Sequence, residues 1–140
     1  LPLSCPTVHP FRRIRLEPDA PINVHWGLDN RTCGLRVPDS SPQARRVENR
    51  VPGVDSNPYL AFAATLACGL LGLDEKIDPE PVVAIDAHTL PFGLPLHHHE
   101  ALEMLSASEP LRRVLGSRFV DAFIEVKQLE WQLYNRVISR

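Results

Sequence analysis

The sequence predicts an α+β fold in which antiparallel strands come first and helices follow. Two observations carry this. Three strand-like segments fall between residues 22 and 51, and from Asn57-Pro58 onward helix signals dominate, ending in a long apolar stripe near the 3.6-residue period. The chain has 140 residues, 44% hydrophobic and 23% charged, enough for one unit with a buried core. No internal repeat or low-complexity linker interrupts it.

Residues 1–21 are Pro-rich and basic and are expected to form an ordered loop. "INVHW" (22–26) alternates apolar and polar and reads as a strand, with Ile22, Val24 and Trp26 on one apolar face packed on the core. "TCGLRV" (32–37) and "ARRVENRV" (44–51) are further strands, separated by the turn chemistry of "GLDN" and "PDSSPQ". Asn57 is an N-cap with Pro58 at the first helical position, and the helix runs to about residue 78. A Pro-containing loop reaches about residue 97. A short amphipathic helix follows over Glu100–Ala107, Pro110 starts another to Leu115, and residues 117–139 form one long helix. Its stripe is Phe119, Val120, Phe123, Ile124, Val126, Leu129, Leu133 and Val137.

Composition excludes several function classes. A net charge of −2 argues against nucleic acid as the main partner, although arginines cluster locally. Cys5, Cys33 and Cys68 lack CxxC spacing and read as reduced thiols of a cytoplasmic protein rather than disulfides or zinc ligands. The opening "LPLSCPTVHPFRR" has no charged region ahead of an apolar stretch and is not expected to be a signal peptide. The most apolar segment, "PYLAFAATLACGLLGL", would span roughly 24 Å as a helix, short of the roughly 30 Å of a bilayer core. It is expected to be a buried core helix, with no membrane partner. The chain opens without methionine in an extended Pro-rich stretch, which suggests a piece of a larger domain.

The charged strand 44–51 carries the chemistry. Alternation places Arg45, Val47, Asn49 and Val51 on one face and Arg46, Glu48 and Arg50 on the other. One carboxylate flanked by two guanidinium groups stays ionised, and the arginine forks match carboxylate and phosphate oxygens. An ionised carboxylate is also available to a hard divalent cation. "DNRTCGLRVP" adds Arg31 and Arg36, so pairing of the two strands would converge four arginines and one glutamate. Phosphoryl transfer needs such preorganised positive charge. A solvated sheet face with ordinary cross-strand ion pairs is the plainer reading.

These residues resemble the glutamine synthetase family, specifically the C-terminal part of its catalytic domain. The resemblance runs through "APINVHWGLDNRTCGLRVP", "QARRVENRVPGVDSNPYLAFAATLACGLLGLDEKI" and "FVDAFIEVKQLEWQLYNRVIS" and covers nearly the whole chain. It implies ATP-dependent activation of the glutamate γ-carboxylate as an acyl phosphate, displaced by an amine, with Mg2+ or Mn2+ assisting. By position it implies that Arg31 contacts the transferred phosphoryl group and that Arg36 and Arg46 bind nucleotide phosphates. Glu48 falls at a metal ligand, and Arg50 and Arg13 at arginines that hold the substrate glutamate. Asp19, or Glu17 in its place, falls at the flap carboxylate that helps deprotonate the attacking ammonium. It also implies a homo-oligomeric ring for the parent protein.

Departures qualify the resemblance. Asp19 is a methylene shorter than the usual flap glutamate, and Gln43 replaces a lysine found in some bacterial enzymes. His88 stands where regulated bacterial enzymes carry the adenylylated tyrosine, which implies no control by adenylylation. "RVENRV" and the altered flap look more like the γ-glutamylpolyamine or glutamate–putrescine ligase branch than housekeeping glutamine synthetase. The family's N-terminal β-grasp domain and upstream metal-ligand strands have no counterpart in these residues, so the chain by itself is expected to be inactive. A non-catalytic ring-forming member of the same fold is the alternative, and a nucleic-acid module using the arginine strands a weaker one.

The remaining candidates read as structural. His97, His98 and His99 read as a solvated helix start, because three adjacent histidines cannot all face one ion from a helix. Trp131 and Tyr134 read as packing against a neighbouring domain or subunit, and His9, His25 and Cys33 show no nucleophile–base pairing.

Overall fold

In the computed structural model, residues 1–7, 9–16 and 20–136 are described here, with the side chains of Arg15 and Leu16 excepted. The elements are α1 (His9–Leu16), β1 (Trp26–Leu28), β2 (Leu35–Val37), β3 (Glu48–Asn49), α2 (Pro58–Asp74), α3 (His98–Ala107), α4 (Glu109–Leu115) and α5 (Ser117–Arg136). Strands precede the main helices, so the α+β class holds.

The sheet is mixed rather than wholly antiparallel, a correction to the expected topology. β1 and β2 pair in parallel, Trp26 opposite Leu35 and Leu28 opposite Val37. β2 and β3 pair antiparallel, Arg36 opposite Glu48 and Leu35 opposite Asn49. The parallel pairing is possible because the chain turns sharply at Asp29, in the left-handed region at φ 46°. It then crosses back at Gly34, where any Cβ would run into the carbonyl oxygen of Asn23. Asp and Gly tolerate these two constraints better than other residues.

Three further expectations need correction. The first 21 residues are not all loop: Thr7 Oγ1 accepts from His9 N at 3.3 Å, and α1 follows. The strand at 22–26 begins only at Trp26, Val24 is exposed, and Trp26 is half-buried with its indole N–H donating to the Glu80 carbonyl at 2.6 Å. The strand at 44–51 shrinks to Glu48–Asn49, because Pro42–Ala44 forms a 3-10 turn and ladder bonding resumes only opposite β2.

α2 begins where capping chemistry places it. Asn57 Oδ1 accepts from Tyr59 N and Leu60 N at 3.0 and 3.3 Å, with Pro58 at the first position. α2 ends through Lys76 at φ 52°, with Ile77 N donating to Gly72 O at 2.9 Å. Gly116, at φ 89°, separates α4 from α5.

One apolar cluster joins Leu3, Leu102, Leu105, Val120, Phe123 and Ile124, tying α3 to α5, with Leu60 and Ala64 of α2 at its margin. A second joins Cys5, Phe11, Ile14, Leu94 and Ala101. The expectation of a buried α2 does not hold within this chain: only Ala67 and Leu71 are buried, while Tyr59, Phe62, Leu66, Leu70 and Leu73 are exposed. The side chains of α2 are apolar all round its axis, so one neighbouring layer cannot cover them.

Candidate active-site wall

β2 and β3 bring the arginine-rich segments together as the alternation implies. Arg36, at the centre of β2, lies opposite Glu48 in the ladder and donates from Nη1 to Glu48 Oε2 at 2.9 Å. Arg46 donates from Nη2 to the other carboxylate oxygen at 3.1 Å. The i,i+2 relation therefore survives although only Glu48 and Asn49 are ladder-bonded. The Arg36 hydrogen bond, followed by its charge and the contact with Arg46, holds the Glu48 carboxyl below the usual carboxylate range.

A residue the sequence reading did not single out completes the group. Asp29, in the turn after β1, accepts from Arg36 Nη2. Arg36 thus sits between two carboxylates, Asp29 first and Glu48 second, which raise its pKa above the ordinary guanidinium value. The signal available in sequence was the spacing between Asp29 and Arg36, which becomes meaningful only once β1 and β2 are known to be parallel.

Arg50 leaves β3 with its N–H donating to Gly34 O at 2.9 Å. Its pKa is lowered by burial first, then by the positive charges of Arg36 and Arg31, with a smaller contribution from Arg13. Of the four predicted β-segment arginines, Arg36 and Arg46 contact Glu48, while Arg50 feels the charges of Arg36, Arg31, Glu48 and Arg13. Arg13 Nη2 donates to Val51 O at 2.7 Å, so this guanidinium is anchored to the backbone just after β3. Arg31 is exposed in the loop after Asp29. That loop is held by Asn30, which donates to Val83 O and Ile85 O at 3.0 and 2.9 Å and accepts from Thr32 N at 3.0 Å. Asp19 and Glu17, the two candidates for the flap carboxylate, lie outside the described residues.

The wall suits an anion. Its donors are the terminal nitrogens of Arg36 and Arg46, whose forks match carboxylate and phosphate oxygens, while the Nε atoms of Arg13 and Arg36 are buried without a hydrogen-bond partner among the described residues. A metal is different. Among the described residues no group of three His, Cys, Asp or Glu could hold an ion, and both Glu48 oxygens already accept from arginines. These residues alone do not make a metal centre.

The histidine run does start a helix, with His97 and His99 exposed as expected, but His98 is not solvated. His98 is buried edge-on against Phe11 at 5.8 Å between ring centroids, and burial pushes its pKa down. His99 stacks on Trp131 at 6.0 Å and lies 3.1 Å from Glu103. His88 places Nδ1 2.9 Å from Asp86 and Nε2 3.0 Å from the Ala20 carbonyl, a structural tie between loops. The three cysteines are free, with Cys5 and Cys33 buried and Cys68 exposed. No helix among the described residues is long and apolar enough to cross a membrane.

A small mixed sheet presenting paired arginines around one carboxylate, followed by helices that pack on one another, defines the class: an α+β domain with an arginine-rich face. Residues 1–140 match the family described as "Glutamine synthetase, catalytic domain". The chain belongs to the glutamine synthetase family. It is 38% identical over 143 residues to the glutamine synthetase of Archaeoglobus fulgidus, an alignment covering 94% of this chain and 29% of that protein. With the glutamine synthetase of Methanocaldococcus jannaschii it shares 34% over 146 residues, covering 98% and 32%. With the gamma-glutamylputrescine synthetase PuuA of Escherichia coli K12 it shares 36% over 140 residues, covering 98% and 29%. The solved structure of apo GmaS without ligand superposes with a TM-score of 0.82 at 33% identity, covering 99% of this chain and 32% of that one. The chain thus spans about a third of the length of the relatives it matches.

Proposed function

We propose that this chain supplies the arginine-rich wall of an ATP-dependent ligase that joins the γ-carboxylate of glutamate to an amine through a γ-glutamyl phosphate. It does so as the C-terminal part of a longer catalytic domain whose other portion carries further site residues. The observation that carries the reading is the Arg36–Glu48–Arg46 contact, with Arg31 and Arg50 beside it, in a chain matched to the family from end to end.

In this reading Arg36 and Arg46 hold nucleotide phosphates and Arg31 meets the transferred phosphoryl group. Their fixed positive charge stabilises negative charge as it develops on the phosphoryl oxygens. Arg50 and Arg13 hold the substrate glutamate by its carboxylates. Glu48 would give one ligand to a Mg2+ or Mn2+ ion held otherwise by groups outside this chain, which would supply charge neutralisation at the phosphates, and Asp19 or Glu17 would take a proton from the attacking ammonium.

The acceptor is ammonia or a polyamine such as putrescine. Identity to the two kinds of relative is alike, 34% and 38% against 36%, and does not separate them. The "RVENRV" wording favours the polyamine branch. A cytoplasmic homo-oligomeric ring is part of the same proposal.

The test is phosphate release by the parent protein with ATP, glutamate and either ammonium or putrescine. The reading expects release that needs glutamate and one of these amines, and its abolition, by about 10²-fold or more, in Glu48→Ala that remains folded. An inert but folded wild type would favour a non-catalytic scaffold.

A further inference from the structure

We propose that Asp29 is a positioning residue for Arg36, holding the guanidinium in place from the side opposite Glu48 so that its remaining donors face an incoming phosphate. This rests on the reading of Arg36 as a nucleotide-phosphate ligand. The geometry begins with the backbone. Asp29 follows β1 directly, takes a left-handed conformation, and donates its N–H to Val37 O at 2.8 Å. Those constraints place its carboxylate against Arg36 Nη2, while Glu48, from β3, takes Nη1.

Each terminal nitrogen of Arg36 is therefore fixed by a different carboxylate from a different part of the sheet. A guanidinium has five N–H donors. Two carboxylate contacts leave one hydrogen on each Nη and the Nε–H, and Nε is buried without a hydrogen-bond partner among the described residues. Glu48 is shared with Arg46, whereas the Asp29 carboxylate accepts from Arg36 and from no other guanidinium among the described residues. The Arg36 side chain is 14% exposed, and a long side chain held at both ends loses little further freedom when an anion binds.

Asp29 itself is 58% exposed, and exposed ion pairs contribute little to stability. Its role is therefore read in binding rather than in melting. Asp29→Asn and Asp29→Gly both tolerate the left-handed backbone and remove the charge, so neither confuses the carboxylate with the turn.

In the parent enzyme both variants are expected to raise the KM for ATP by about two- to fivefold, the range an exposed ion pair supports. They leave kcat within about twofold. Independently of activity, the guanidinium ¹⁵N resonances of Arg36 in the same protein are expected to show distinct terminal nitrogens in the wild type and averaged ones in Asp29→Asn. An unchanged ATP KM in both variants, or a fall in kcat with KM constant, overturns the proposal. If the wild type turns over no ATP, the functional reading fails, and the Arg36 resonances still decide: identical spectra in wild type and Asp29→Asn overturn the positioning role.

Discussion

Glu48 and His98 place opposite kinds of titration in one small molecule. The carboxyl of Glu48 is held below its usual range, chiefly by the Arg36 hydrogen bond, so its contribution to stability is present above the unfolded pKa of about 4.3. That contribution is lost as pH falls through the lower folded value. Burial lowers the His98 pKa, with the Lys127 charge adding to it and Glu130 and the Pro6 carbonyl opposing. The folded state therefore prefers the neutral ring. Unfolded chains take up the proton from about pH 6.5 downward, and stability falls from there until the folded pKa is passed. Urea melts of the parent protein between pH 7 and 5 are expected to show this decline in wild type and a flatter profile in His98→Phe. Equal slopes would mean that His98 is not the titrating group. Between pH 5 and 3, Glu48→Gln should flatten a second, separate decline.

At the level of elements, the turn from β1 to β2 decides whether Asp29 and Arg36 meet at all. Gly34→Ala would drive a methyl group into the Asn23 carbonyl, shift β2 against β1 and carry Arg36 away from Asp29. The expected cost is about 1–3 kcal/mol in urea unfolding, with a weaker ATP affinity. A variant as stable as wild type would contradict this account of the crossing. The same crossing explains what could be read in advance. The Asn57-Pro58 helix start, the α5 helix and the i,i+2 placement of Arg46 and Glu48 are local patterns set by neighbouring residues and were legible. Of the α5 stripe, Val120, Phe123 and Ile124 are buried, Phe119, Val126, Leu129 and Leu133 are exposed, and Val137 lies outside the described residues. Parallel pairing of β1 with β2 was not legible, since turn-forming residues between two short strands ordinarily signal a hairpin. Asp29 was missed for that reason. His98 was misjudged because burial depends on Phe11 of α1, a helix that the prolines of the N-terminal segment obscured.

For the whole molecule, α2 is the feature that the chain alone does not explain. Its apolar side chains, among them Phe62, Leu66 and Leu70, stand exposed along a helix joined to the rest mainly through α4. A surface of that kind calls for cover. In the proposed reading the remaining part of the catalytic domain provides it, along with the other metal ligands. The isolated 140-residue chain is accordingly expected to self-associate, seen as concentration-dependent sedimentation, and to lack ligase activity. ATP- and glutamate-dependent phosphate release by the isolated chain would contradict the partial-site account.

The central claim, that these arginines and Glu48 serve glutamate-dependent phosphoryl chemistry, is tested most directly by steady-state phosphate release from the parent protein supplied with ATP, glutamate and ammonium or putrescine. The account predicts turnover that requires glutamate and one of the two amines and that disappears in a folded Glu48→Ala variant. A folded wild type with no glutamate-dependent turnover on either amine would contradict it.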